Sequence, residues 1–399
     1  MRRIGLALLL GAVFAVPAKS DDAIAKHIVK GNTQFALEMY AKLPKDKGNV
    51  FFSPFSISTA LSMTSLGAKG DTLTQMQSTL HFPNADVTHA GYAAIIRQLN
   101  NEGADPKTRG YELSVANALW GQQGAKWLPT FLKESKKFYG AGFGELDFRQ
   151  TEAARRTING WVEEKTHDKI KDIIKPGVLQ PDTQMVLANA IYFKGRWAAE
   201  FDKKLTKAEP FFLSADKSEK RPLMHKTANF RYAETAALQV LELPYKGKEL
   251  SMIVLLPKAK DGLDKVEKTL GNYEEWIATL KHEREVIVTL PKFKITSDFN
   301  LEEELPKLGM TDLFVAGKAD LSGMNGDRTL FIRNVIHRAF VDVNEEGTEA
   351  VAATIIGGVP RSGQVNPTPV FRADHPFLFV IRDNRSGSLL FVGRVVDPK

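Results

Sequence analysis

EEGTEAVAATIIGGVPRSGQVNPTPV, residues 345–370, is unlike the rest of the chain. It shows little helical striping, many small side chains, two adjacent glycines (Gly357, Gly358) and three prolines (Pro360, Pro367, Pro369). A loop this long inside a compact domain is uncommon, and it is either functional or a disordered connector. Its first half alternates. Thr348, Ala350, Ala352, Thr354, Ile356 and Gly358 share one face of an extended chain, all without charge. Glu349 falls on the other face with Val351, Ala353, Ile355 and Gly357. Such a segment enters a β-sheet without burying charge or large bulk. Beyond it, Arg361 is the only basic residue between Glu345 and Phe371; it follows Pro360 and precedes Ser362. An exposed arginine there suits the carboxylate of a trypsin-like primary pocket.

Outward from this loop the chain is mostly buried strand on both sides. Phe377 to Ile381 and Leu389 to Val396 flank Asp383-Asn384-Arg385-Ser386-Gly387, a hairpin pattern. Met185 to Phe193 and Leu250 to Leu256 are near-continuous apolar runs, and Glu285 to Leu290 alternates with Val286 and Val288 on one face. The first third reads mainly as helices. Phe35, Met39 and Leu43 make one stripe. Ser53-Pro54 starts a helix that runs from Phe55 to Leu66 with small residues on most faces, which suits close internal packing. Thr157 to Ile174 reads as a further helix, ending before Pro176. Helices followed by non-alternating strands predict an α+β fold with antiparallel or mixed sheets. No linker or repeat divides the chain, so one domain over 21–399 is expected.

Composition excludes several classes. There is no cysteine, hence no disulfide and no thiolate metal site. The eight histidines (27, 81, 89, 167, 225, 282, 337, 375) form no metal-binding face, and no nucleophile elbow, zincin or nucleotide-loop motif occurs. A triad of distant residues, as in a secreted hydrolase, stays open. Net charge is +7, spread along the chain. That fits a basic soluble surface or a polyanion site, and no nucleic-acid signature accompanies it. At the start, Arg2 and Arg3 precede the 13-residue apolar run Ile4–Val16 and the small residues Ala18 and Ser20. Residues 1–20 read as an export signal cleaved after Ala18 or Ser20, an uncleaved anchor being the alternative.

Several long motifs, in order, carry a family resemblance. Gly347-Thr348-Glu349-Ala350-Val351-Ala352-Ala353-Thr354 resembles the hinge of inhibitory serpins. Asn49-Val50-Phe51-Phe52-Ser53-Pro54-Phe55-Ser56, Asn189-Ala190-Ile191-Tyr192-Phe193-Lys194-Gly195-Arg196-Trp197, Leu290-Pro291-Lys292-Phe293 and His375-Pro376-Phe377-Leu378-Phe379 are similar to other serpin motifs. The chain is identified as a member of that family over nearly its whole mature length.

The resemblance implies the serpin fold: a single domain with a large central mixed β-sheet, further sheets, a predominantly helical N-terminal part and an exposed reactive-centre loop at about 345–370. The family's bait residue lies seventeenth from the glutamate opening the hinge, and from Glu345 that position is Arg361. The implied reactive bond is Arg361–Ser362, next to Pro360. The hinge comprises Glu345, Gly347, Thr348, Glu349, Ala350, Ala352, Ala353 and Thr354. Ser53, Ser56, Asn189 and His337 should form a polar shutter beneath the main sheet. Trp197, Lys292 and Glu345 should form the breach at its top. The implied activity is suicide-substrate inhibition of a trypsin-like, or thrombin-like, serine protease, with no catalysis of its own. The alternative is a non-inhibitory carrier or chaperone. Such members usually have bulky or charged hinges; here Val351 alone departs from the commoner alanine, and by parity it points outward. The implied protein is monomeric, without cofactor, nucleic acid or membrane, and secreted to the extracellular space (periplasmic or at the cell surface in a bacterium). For a polyanion such as heparin, residues 89–110 offer only Arg97, Lys107 and Arg109, no strong site.

Overall fold

The computed structural model describes residues 19–44, 48–100, 110–140, 142–333, 335–348 and 367–399. Pro360, Arg361 and Ser362 of the expected bait lie outside these residues. So do Glu349, Ala350, Ala352, Ala353 and Thr354 of the expected hinge, and the leader through Ala18.

Six helices occupy the first part: α1 (Lys19–Lys42), α2 (Pro54–Ser65), α3 (Gly70–Leu80), α4 (Ala85–Asn100), α5 (Pro129–Tyr139) and α6 (Thr151–Lys165). Interleaved with them are β1 (Val50–Phe52), β2 (Tyr111–Gln122) and β3 (Phe143–Leu146). The next strands are β4 (Met185–Arg196), β5 (Lys207–Phe212), β6 (Ser218–Glu234), β7 (Leu238–Pro244), β8 (Leu250–Pro257) and β9 (Glu283–Pro291). The last are β10 (Phe293–Asn300), β11 (Val335–Val343), β12 (Gly347–Thr348), β13 (Val370–Arg372), β14 (Phe377–Asp383) and β15 (Leu389–Val395).

They form two sheets. A nine-stranded sheet runs β1-β15-β14-β8-β7-β6-β9-β13, with β5 on β6. A six-stranded sheet runs β10-β11-β4-β2-β3, with β12 on β4. The second is mixed: β4 and β11 are parallel, as are β2 and β3, while β2–β4 and β10–β11 are antiparallel. The architecture is the α+β one expected.

The apolar runs explain the layering. β4 is buried from Met185 to Phe193 because both of its faces are covered. On one side lies α2, every residue of which is buried. Four of its hydroxyls do not need water: Thr59, Ser62, Thr64 and Ser65 donate to carbonyls three or four residues back in the same helix. On the other side, Ile158 and Val162 of α6, with Ile170, Ile173, Ile174 and Leu179 after it, pack on Ala116, Val186, Ala188 and Ala190.

Two sequence expectations need correction. α6 stops at Lys165 rather than reaching Ile174. His167, Asp168 and Asp172 take left-handed φ of 51°, 60° and 49°, and the Asn159 side chain bonds both the N–H and the C=O of Ile174 (2.9 and 3.0 Å). The apolar spacing that mimics a helix arises because these residues all pack against one sheet face. The first third is also less helical than expected, since it contains the twelve-residue strand β2.

Candidate functional site

The parallel seam between β4 and β11 runs from Leu187–Val335 to Tyr192–Phe340. Beyond Phe340, β11 pairs only with β10. The edge of β4 left open there is taken by β12, with Gly347 opposite Arg196 and Thr348 opposite Gly195. The chain gets there by reversing at Asn344–Gly347, where Asn344 N–H donates to Gly347 O (2.7 Å). Gly347 has φ +140°, and a Cβ on it would lie 2.0 Å from Gly195 O and 2.6 Å from Arg196 Cα. Backbone meets backbone here, so only glycine fits.

Around this entry point the three residues expected at the breach meet. The Trp197 indole stacks on Tyr245 (4.6 Å between centroids) and donates from Nε1 to Asn344 O (3.0 Å). Trp197 N–H donates to Glu346 O (3.0 Å), and Phe201 N–H to Glu345 O (2.8 Å). The buried Glu345 carboxylate pairs with Lys292 Nζ (2.9 Å) and accepts from Thr206 Oγ1 (2.8 Å). Burial alone would push this carboxyl up; the Lys292 ammonium, with Thr206 and a backbone donor, outweighs it and holds the carboxyl below its ordinary value. Lys203 pairs with the adjacent Glu346. Two buried carboxylates thus anchor the loop's first residues.

Below the seam, Ser53, Ser56, Asn189 and His337 come together. Register puts His337 opposite Asn189, and Asn189 opposite Asn117, on three adjacent strands. The N-terminus of α2 points at them. Ser53 Oγ accepts from Ser56 N–H (3.1 Å), capping the helix, and donates to Leu390 O (2.6 Å). Ser53 N–H donates to His337 Nε2 (3.0 Å), so Nδ1 carries the proton and donates to Asn189 Oδ1. Asn189 Nδ2 donates to Ser56 O (2.9 Å) and Ser56 Oγ (2.8 Å). Asn117 closes the ring, its Nδ2 donating to Ser56 O (3.2 Å) and its Oδ1 accepting from Ser56 Oγ (3.1 Å). Burial lowers the His337 pKa to about 3, so the ring stays neutral at ordinary pH.

Asn117 is the member that sequence reasoning missed. The one available signal was an amide inside the apolar strand Val115–Trp120, and only the register reveals its partner. Among the described residues no group of three or more His, Asp or Glu is arranged to hold a metal, and no helix is long and apolar enough to cross a membrane.

Comparison with known proteins points to one family. A family model described as Serpin (serine protease inhibitor) matches residues 30–398. The leukocyte elastase inhibitor of Homo sapiens is 42% identical over 385 residues, covering 94% of this chain and all of that protein. Serpin B3 of Homo sapiens is 40% identical, covering 92% and 99%. Among solved structures, uncleaved ovalbumin aligns at a TM-score of 0.82 with 31% identity, covering 93% of this chain and all of that one. Human glycosylated kallistatin aligns at 0.82 with 32% identity, covering 94% and 99%.

Proposed function

Because the chain belongs to the serpin family, we propose that it is an irreversible inhibitor of trypsin-like serine proteases, cleaved at Arg361–Ser362. The observation that carries this proposal is β12. The first residues of the loop already sit on the open edge of β4, at the end of the parallel seam. Residues 348–358 follow directly, small and uncharged on one face. The target protease attacks Arg361 and forms an acyl-enzyme, and the cut frees the loop. The loop then zips down the seam from β12 as a new strand between β4 and β11. Strand addition to a sheet is a general mode of recognition, and serpin loop insertion is itself an instance.

Thr348 to Arg361 spans 14 residues, so at ~3.3 Å each the protease is carried ~45 Å. Some ten new ladder hydrogen bonds at ~1 kcal/mol net supply on the order of 10 kcal/mol, enough to distort an acylated active site. Insertion must outrun hydrolysis, which is what a small, pre-seated hinge favours. In this scheme Ser53, Ser56, Asn117, Asn189 and His337 are the shutter that closes the seam, and Trp197, Lys292 and Glu345 hold its upper end. The protein supplies no catalytic group.

Residues 1–20 are proposed as an export signal, with action outside the cell. N-terminal sequencing of the mature protein should begin at Lys19 or Asp21. Specificity follows from Arg361 in this chain, although several relatives are named for inhibiting leukocyte elastase. The test is to mix the protein with trypsin, thrombin and elastase and look for an SDS-stable complex. Trypsin or thrombin should be trapped, with the new C-terminus at Arg361 by mass spectrometry, and Arg361→Ala should abolish trapping. Complex with elastase alone, or cleavage elsewhere with inhibition intact, overturns the bait assignment. Clean cleavage with no complex overturns inhibition and favours a carrier or chaperone.

A further inference from the structure

Asn384-Arg385-Ser386 is the one place in the 399 residues where an asparagine precedes a serine or threonine by two with no proline between them. Asn366-Pro367-Thr368 has the spacing but carries the barring proline. Such a tripeptide is the acceptor for an asparagine-linked oligosaccharide in a secreted chain. It lies in the turn between β14 and β15, and there all three of its side chains are engaged. The turn is built on Asp383, whose side chain is fully buried. Its carboxylate accepts from Gln98 Nε2 (3.0 Å), Arg385 Nε (3.0 Å), Ser386 N–H (3.0 Å) and Ser386 Oγ (2.6 Å). The hydroxyl of the acceptor motif is thus spent inside the turn. Arg385 also reaches Glu249 (3.5 Å) and the Tyr111 hydroxyl (3.3 Å). Asn384 N–H donates to Glu249 O (2.7 Å). Its side-chain Nδ2 donates to Lys248 O (3.0 Å) and to Oγ of the buried Ser251 (2.7 Å), so both of its protons are committed. The motif is stitched across to the β7–β8 hairpin by backbone and side chain together.

Glycan attachment joins Nδ2 to C1 of the first sugar. The bond from C1 to the pyrophosphate of the lipid carrier breaks, and Nδ2 gives up one proton. The new C–N bond is ~1.45 Å long. Along the two N–H directions, C1 would come within about 1.6 Å of Lys248 O or about 1.3 Å of Ser251 Oγ. Both are far inside contact distance, so the sugar and the native bonds cannot share this amide. Swinging the amide out to solvent strips both bonds and cuts the stitch to the hairpin. We propose that Asn384 is a glycan acceptor only while the β14–β15 turn is open, and that a glycan there keeps the turn from closing in its native form. The export proposed above enters only as the route by which the unfolded chain meets an oligosaccharyltransferase. Glycosylation and closure of this corner then compete for the same side chain, and the winner decides which chains reach the native fold.

The experiment offers a purified oligosaccharyltransferase and its lipid-linked donor three acceptors: the peptide 380–390, the folded full-length chain and full-length Asp383→Ala. Mass spectrometry reads occupancy at Asn384. The peptide and the variant should be modified. The folded chain should stay below about a tenth of the peptide's occupancy in the same time, because its turn must first open. A variant that folds poorly is an open acceptor all the same, so its occupancy still reports on the turn. In a glycosylating secretory host, secreted chains that melt cooperatively should be bare at Asn384. A folded chain modified as fully as the peptide overturns the proposal, and so does a peptide left bare. Secreted chains that carry the glycan and melt with the bare ones overturn it too. None of these readings uses a protease, so their failure leaves the bait untouched, and failure of the bait leaves them standing.

Discussion

Replacing Gly347 by alanine separates the native arrangement from the inserted one. In the uncleaved fold residue 347 has φ +140°, and a Cβ would come within 2.0 Å of Gly195 O, 2.6 Å of Arg196 Cα and 2.8 Å of Trp197 N. That falls short of ordinary van der Waals contact by more than 1 Å, and the obstacle is backbone. Alanine must therefore lift β12 off β4. The backbone strain alone is about 1–3 kcal/mol. The turn that seats β12 is held by the bonds Trp197 N–H to Glu346 O and Asn344 N–H to Gly347 O, each worth ~1 kcal/mol net. The loss in the uncleaved protein is then on the order of 3–5 kcal/mol. With ~2.1 cal/mol/K of unfolding entropy per residue, a chain of this size loses about 4–6 °C in melting temperature.

The cleaved form should behave differently. Once the loop is a strand between β4 and β11, residue 347 has ordinary extended φ, where alanine is at ease. Differential scanning calorimetry of both forms, with hydrogen exchange at residues 195–197, reads this directly. The uncleaved variant should melt about 4–6 °C below wild type and exchange faster at 195–197. The cleaved variant should match cleaved wild type. Equal losses in the two forms, or none in either, would refute a hinge that is pre-seated in one conformation and inserted in another.

Other consequences can be checked separately. His337 is neutral in the fold with its pKa near 3, while the unfolded chain takes up the proton near pH 6.5. Its contribution is therefore complete above pH 6.5 and lost as pH falls toward 3. By pH 5 the loss is ~2 kcal/mol, or 2–3 °C, and His337→Gln should flatten that part of the melting curve against pH; coincident slopes would count against it. Asn117→Ala strips a partner from buried Ser56, and from Asn189, whose Nδ2 donates to Asn117 Oδ1, costing about 1–3 kcal/mol, which calorimetry of the uncleaved protein should register as a drop of about 2 °C. Thr348→Arg places a charge in the strand that must enter the seam, at a cost of several kcal/mol. Gels should show a variant cut at Arg361 but rarely trapped, and wild-type stoichiometry of complex would exclude insertion by this strand.

Local rules carried much of the fold. Ser53-Pro54 reads as a helix start, and Ser53 does cap α2. Apolar runs read as buried strands, and β4, β8, β14 and β15 lie where those runs are, with β9 on the alternating stretch Glu285–Leu290. The failures are long-range. The extension of α6 to Ile174 fails because one side chain, Asn159, replaces the helical ladder from fifteen residues away. β2 hides because its burial does not alternate cleanly. At the site, the family motifs brought Ser53, Ser56, Asn189 and His337 forward, whereas Asn117 depends on the β2–β4 register, which no local pattern encodes.

That register also bears on how a closed seam opens. A strand entering between β4 and β11 must break the ladder from Leu187–Val335 to Tyr192–Phe340. Each backbone group so exposed finds a new partner on the entering strand, so the ladder is exchanged rather than lost. The side-chain bond across the seam is His337 to Asn189. The remaining bonds of the network each stay on one side. His337 keeps Ser53 N–H, while Asn189 and Asn117 keep Ser56. The N-terminus of α2 therefore holds both banks and serves as a pivot. Opening leaves one buried donor and one buried acceptor, a cost of about 1–3 kcal/mol for each unpaired group. That is small beside the order of 10 kcal/mol from a full new strand, yet large enough to keep the seam shut when only the two residues of β12 are seated. In the proposed mechanism, a polar shutter of this strength would resist partial entry and yield to complete insertion.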